Sequence, residues 1–133
     1  MARTVQLTFD TEHPAALVGF WCQVLGYEVE PLPAAARAGL ERMGIDPDGS
    51  GRLFAAAVDP DGVGPRLLAL KVPEGKTAKN RLHLDVRVDG PEHIAGEVER
   101  LVALGATHLA DFDERGSTWA VLRDPEGNEF CVG

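Results

Sequence analysis

His83 stands in the run Lys79-Asn80-Arg81-Leu82-His83-Leu84-Asp85, with a carboxylate two residues downstream and two cations just upstream. An imidazole in that setting can ligate a metal, move a proton, or simply hydrogen-bond to Asp85. Gln6 adds an amide oxygen and Thr8 a hydroxyl two residues later. Glu129 and Cys131 are also two apart, so on a strand they share a face, roughly 6–7 Å from each other. Asp10, Asp85 and Glu129 become general bases if desolvated. Lys79 and Arg81 suit an anionic group such as a carboxylate or phosphate. Trp119 either walls a groove or fills the sheet. Cys131 is reactive only if nearby positive charge lowers its pKa, and is otherwise a small apolar filler. Ser50 and Ser117, the only serines, sit in glycine-flanked turns, so no nucleophilic triad stands out.

The elements that must carry these residues are written twice. A shift of 77 places Pro14 on Pro91, Leu17 on Ile94, Gly19 on Gly96, Trp21 on Val98, Val24 on Leu101 and Leu25 on Val102, and it places Gln6 on His83. Each copy later reaches one kind of turn, Asp59-Pro60-Asp61-Gly62 and Asp124-Pro125-Glu126-Gly127. Residues 4–10 alternate as a half-buried strand, with Val5, Leu7 and Phe9 on the core side. Pro14 opens a helix whose apolar stripe is Leu17, Trp21, Val24 and Leu25, and Gly26 ends it. Tyr27 to Glu30 begin a second strand. Ala34 to Met43 read as helical, Asp46-Pro47-Asp48-Gly49 as a turn, and Arg52–Val58 with Arg66–Val72 as a strand pair.

The second copy repeats the plan. Leu82, Leu84, Val86 and Val88 alternate with Arg81, His83, Asp85 and Arg87. Pro91 opens a helix with Ile94, Val98, Leu101 and Val102 inward, and Gly105 ends it. Thr107–Phe112, Thr118–Arg123 and Asn128–Val132 close the unit. The sequence thus predicts an α+β domain over residues 1–133. Two βαβββ modules, about 1–73 and 80–133, stand in a pseudo-two-fold arrangement. They form a curved mixed sheet around a shared groove, with the polar rows of both lead strands lining it. A one-residue slip would bury those rows, so the register is well specified.

Composition excludes several classes. Net charge is −8, which argues against nucleic acid, because phosphates reward basic faces. No run of about 18 apolar residues suggests a membrane span. The first residues lack the apolar stretch of a signal peptide, so the cytoplasm is the expected location. Two cysteines, Cys22 and Cys131, make neither a disulfide framework nor a paired zinc motif. All three lysines, Lys71, Lys76 and Lys79, fall within nine residues. Lys71 and Lys76 read as a solvated crossover, while Lys79 and Arg81 lead into the His83 strand.

Taken together, these features resemble the vicinal oxygen chelate superfamily: glyoxalases, extradiol dioxygenases, epimerases, and fosfomycin and bleomycin resistance proteins. The resemblance rests on the lead strand, Phe20-Trp21 to Leu25-Gly26, Arg81-Leu82-His83-Leu84-Asp85, and Asp124-Pro125-Glu126-Gly127-Asn128-Glu129-Phe130. Lys76-Thr77-Ala78-Lys79-Asn80-Arg81-Leu82-His83-Leu84-Asp85 is similar to the run of the glyoxalase-like subgroup. The resemblance implies a divalent metal held by one side chain from each of four strands. By position those are Gln6, a residue near Leu70, His83 and Cys131. Leu70 coordinates nothing, so Gln6 and His83 are metal ligands only if a metal binds. Mg²⁺ and Mn²⁺ want oxygen ligands, of which this set offers little beyond Gln6. Zn²⁺ accepts His83 and Cys131, with Glu129 as a substitute donor, but normally finds three or four protein ligands.

Two functional readings follow, beside a third in which the chain is an interaction module with a vestigial pocket. One is a glyoxalase-like lyase or isomerase acting on a small carbonyl- or carboxylate-bearing metabolite, with Glu129 or Asp85 as candidate catalytic groups. The other is a metal-free protein of bleomycin-resistance type that sequesters a drug or metabolite. Both place the ligand against Gln6, Thr8, Lys79, Arg81, His83, Asp85, Trp119 and Cys131. The preferred reading is a site for a small, anionic ligand that does not use the full superfamily metal centre. The resemblance also implies a homodimer.

Overall fold

In the computed structural model, which describes residues 1–133, the chain divides between Gly75 and Lys76 into two units of one topology. The first holds β1 (Leu7–Thr11), α1 (Pro14–Leu25), β2 (Glu28–Val29), α2 (Ala34–Arg42), β3 (Phe54–Val58) and β4 (Leu67–Lys71). The second holds β5 (Asp85–Val86), α3 (Ile94–Ala103), β6 (Thr107–Glu114), β7 (Ser117–Arg123) and β8 (Glu129–Val132). Each unit has its own four-stranded sheet, ordered β1-β4-β3-β2 and β5-β8-β7-β6. In both, the lead strand runs parallel to the last strand, and the other neighbours are antiparallel. The duplication read from the sequence is therefore a duplication of strand order and direction.

Local chemistry sets the elements. Pro14 occupies the first turn of α1, where its missing N–H is not needed, and Gly26 ends the helix in the left-handed region at φ +70°. Leu17 and Trp21 of α1 are 0% and 1% exposed, over Ala57, Leu67 and Ala69 of the sheet. Phe9 stacks on the Trp21 ring with centroids 5.7 Å apart. In the second unit, Ile94, Val98 and Leu101 of α3 lie over the buried Ala120, Leu122, Phe130 and Val132. Each large side chain so buried contributes about 2–3 kcal/mol of hydrophobic stabilisation before entropy is set against it.

Four expectations are corrected. The strand expected from Arg52 starts at Phe54, because the turn expected at Asp46 to Gly49 runs on as a 3-10 turn over Pro47–Arg52, capped where Asp46 Oδ1 accepts the Asp48 N–H at 3.1 Å. The first strand starts at Leu7, and Val5 is exposed. The second lead strand is short, and Leu82 is 77% exposed. Its upstream backbone turns to a side chain instead of the ladder: the Asn80 N–H donates to Glu129 Oε2 at 2.9 Å. Val102 is exposed, so the α3 stripe is narrower than its spacing suggested. No helix is long and apolar enough to cross a membrane.

Candidate functional site

Strand alternation builds a site on one face of the second sheet. Asp85 lies opposite Cys131 in the parallel β5–β8 ladder, and Cys131 lies opposite Val121 in the antiparallel β7–β8 ladder. Val86, Val132, Ala120 and Leu122 then point to the α3 side, while Asp85, Cys131 and Val121 point to the other. Residues two positions away share that second face: His83, Arg87, Glu129 and Trp119. A pocket of about 400 Å³ opens there, lined by these side chains together with Lys79, Ser117, Thr118 and Gly133. A second hollow of about 350 Å³ shares Lys79 and His83 and adds Asn80 and Arg81.

His83 and Asp85 form a dyad, with Nδ1 2.9 Å from Oδ1. An ionised carboxylate only accepts, so the proton of the neutral ring is assigned to Nδ1 and the lone pair to Nε2. The Cys131 thiol bonds to the same carboxylate. Burial, then the charge and hydrogen bond of Asp85, push the thiol pKa up, against a smaller lowering by Lys79. Cys131 is therefore a neutral thiol, and the condition for its reactivity, a pKa lowered by positive charge, is not met.

Glu129 is only 8% exposed. Burial pushes its carboxyl up, but the Asn80 N–H, its own backbone amide and the Lys76 ammonium outweigh burial and hold it at about 2. Lys76 Nζ lies 3.1 Å from that carboxylate, so Lys76 is an internal counter-ion rather than the solvated crossover residue expected. A carboxylate so stabilised is a weak base, which leaves the His83–Asp85 dyad as the basic group of the pocket. Lys79 Nζ donates only to the Asn80 carbonyl, at 3.2 Å.

Gln6 and Thr8 lie in the first unit. Gln6 Oε1 accepts from Arg66 Nη1 at 2.7 Å, its Nε2 donates weakly to Thr8 Oγ1 at 3.4 Å, and Arg66 also pairs with Glu30 through two nitrogens. The ligand atom of Gln6 is thus already bound to a cation. Leu70, on β4, is apolar and 39% exposed. Two of the four positions implied for a metal fail on their own chemistry, so the superfamily set does not fit this chain. Within the second unit, donor atoms of His83, Asp85 and Cys131 lie within 4.8 Å of one another, a grouping of three that a soft ion such as Zn²⁺ would accept.

The structure thus gathers Lys79, His83, Asp85, Trp119, Glu129 and Cys131 around one pocket and sets Arg81 on its neighbour. Sequence reasoning missed Arg87 and Arg66. Arg87 shares the strand phase of His83 and Asp85, which was signal enough. Arg66 meets Gln6 only through the parallel β1–β4 register, where Leu7 lies opposite Leu67, and no local pattern announces that.

The glyoxalase-like domain family model matches residues 6–133. No curated protein sequence matches the chain. Among solved structures, a glyoxalase/bleomycin resistance protein/dioxygenase family enzyme from Burkholderia phytofirmans PsJN is 20% identical, with TM-score 0.69 over 98% of this chain and 97% of that one. A mutant of the genomically encoded fosfomycin resistance protein FosX from Listeria monocytogenes, complexed with Mn(II) and 1S,2S-dihydroxypropylphosphonic acid, is 11% identical, with TM-score 0.69 over 99% and 89%. A glyoxalase-related enzyme from Fulvimarina pelagi is 17% identical, with TM-score 0.65 over 99% and 87%. At these identities the likeness is one of fold.

Proposed function

Because the chain belongs to the glyoxalase-like domain family of the vicinal oxygen chelate superfamily, we propose that it is a small-molecule site protein whose second unit takes a small carbonyl- or carboxylate-bearing metabolite. The observation that carries this reading is the His83–Asp85 dyad opening into a pocket of about 400 Å³ with Lys79 and Arg87 on its walls. That volume lies within the usual range for small-ligand sites. The cations attract the carboxylate, and Val121 and Trp119 supply apolar contact.

The dyad supplies lyase or isomerase chemistry. Nε2 of His83 takes a proton from carbon next to the substrate carbonyl, and Asp85 stabilises the imidazolium that results. Without the superfamily metal set, the developing oxyanion is met by Lys79. Pyruvate serves as a probe. The labelled chain should show saturable shifts at the His83 ring, and in D₂O it should speed deuterium entry into the pyruvate methyl group. His83→Ala should abolish both. A His83 variant that binds and exchanges like wild type overturns the reading.

Sequestration without turnover is the second reading, favoured by Leu70 at one implied ligand position and the Gln6 oxygen committed to Arg66. Pyruvate binding with no catalysed exchange selects it. The reading includes a homodimer, for which the family resemblance is the support. It excludes nucleic acid as a partner on the net charge of −8.

A further inference from the structure

We propose that this pocket contains a slot for a planar aromatic carboxylate, the ring stacked on Trp119 and the carboxylate held by Arg87. The inference rests on the reading that the pocket takes a small anion, and it narrows the class of that anion. The slot follows from one row across the second sheet. Phe112 lies opposite Trp119, and their rings stack at 5.2 Å and 15°, which covers one face of the indole. Ala120 lies opposite Val132, so the antiparallel ladder sets Gly133 beside Trp119 on the other side. The Gly133 N–H donates to the Val86 carbonyl and the Gly133 carbonyl accepts from the Val88 N–H, so Arg87 is the next residue in the row.

Between indole and guanidinium there is thus a position with no side chain. Trp119 and Arg87 stand two strand spacings apart, roughly 9–10 Å. A flat ring with van der Waals contact on both faces needs about 7–8 Å. A Cβ at Gly133 would lie 3.0 Å from Trp119 Cβ and 3.1 Å from the Thr118 carbonyl oxygen, so a side chain there would crowd the floor that glycine leaves open. Trp119, Gly133 and Arg87 all line the pocket.

Charge agrees with shape. Asp85 is engaged by His83 and Cys131, and Glu129 is neutralised by Lys76. The cations left to meet a ligand are Arg87 at the slot and Lys79 toward the His83 end. Arg87 offers a two-pronged donor to a carboxylate, and the open face of the indole favours a π-system over a puckered ring.

Benzoate is the probe, with benzamide and cyclohexanecarboxylate as comparators, titrated into the ¹⁵N-labelled full chain. Benzoate should shift the Trp119 indole N–H saturably and bind roughly five- to tenfold more tightly than either comparator. Arg87→Gln should bring benzoate down to benzamide. Trp119→Leu should remove its advantage over cyclohexanecarboxylate. Amide spectra of both variants with wild-type dispersion show that the fold is kept. Equal affinity for the three probes overturns the slot. So does benzoate binding around His83 with Trp119 silent, an outcome that leaves the broader reading standing. Absence of any saturable benzoate shift also overturns the slot, and the pyruvate titration then decides the broader reading on its own.

Discussion

The side-chain amide oxygen of Gln6, Oε1, accepts a hydrogen bond of 2.7 Å from the guanidinium of Arg66. A permanent cation therefore holds the atom that a divalent ion would need, and Glu30 balances its charge from the other side. Protein purified without added metal should carry far less than one divalent ion per chain by elemental analysis. Near-stoichiometric metal retained in His83→Ala would show that Gln6 exchanges Arg66 for an ion, against this assignment, whereas metal lost with His83 would lie at the His83, Asp85 and Cys131 donors.

Glu129 makes stability depend on acid. Its folded pKa of about 2 lies below the ordinary 4.5, because the Asn80 N–H, its own amide and Lys76 together outweigh the opposing effect of burial. A depressed carboxylate stabilises the fold above its unfolded pKa and loses that contribution as pH falls through the folded value. The window runs from about 4.5 down to about 2. The full contribution is at most about 3.5 kcal/mol, from about 1.4 kcal/mol per pKa unit. Urea unfolding should show Glu129→Gln less stable than wild type at pH 7 and nearly equal to it at pH 2. A gap that does not change with pH would remove this account.

Strand phase was legible from sequence, and with it the shared face of His83, Asp85 and Arg87. Strand pairing was not. Cys131 meets Asp85 because β8 runs parallel to β5 in one register, and a shift of one residue would send the thiol into the α3 core. Leu82 shows the opposite failure. Its alternation marks a strand residue, but the Asn80 N–H finds the Glu129 carboxylate first and the strand begins only at Asp85. Local periodicity carries no information about a hydrogen bond between residues 49 apart. The cation that binds Gln6 was hidden for the same reason.

Cys131 should alkylate slowly. Burial and then Asp85 push its thiol up, so little thiolate exists at neutral pH. With Cys22 replaced by Ala to silence the other thiol, iodoacetamide at pH 7.5 should react more slowly with Cys131 than with glutathione. Asp85→Asn removes a carboxylate that raises the pKa, and should speed alkylation severalfold. A Cys131 faster than glutathione, or one indifferent to Asp85, would contradict the assignment of a neutral thiol.

The two Asp-Pro turns look alike in sequence but should differ in cost when broken. Asp124 is 2% exposed and accepts from the Glu126 N–H, the Asn128 N–H and the Asn128 amide. Asp59 accepts from the Asp61, Val63 and Gly64 N–H groups, but it is only half-buried. Donors that lose a buried partner cannot turn to water, whereas those around Asp59 can. Asp124→Ala should therefore destabilise by about 2–4 kcal/mol and Asp59→Ala by clearly less. The Asp124 turn also joins β7 to β8 and so fixes Val121 and Trp119 against Cys131 and Gly133. Asp124→Ala should accordingly weaken pyruvate or benzoate binding under conditions where the variant is still folded, and Asp59→Ala should leave both unchanged. Equal destabilisation in denaturant, with equal binding, would mean that the two turns are interchangeable and that the Asp124 turn has no part in setting the pocket.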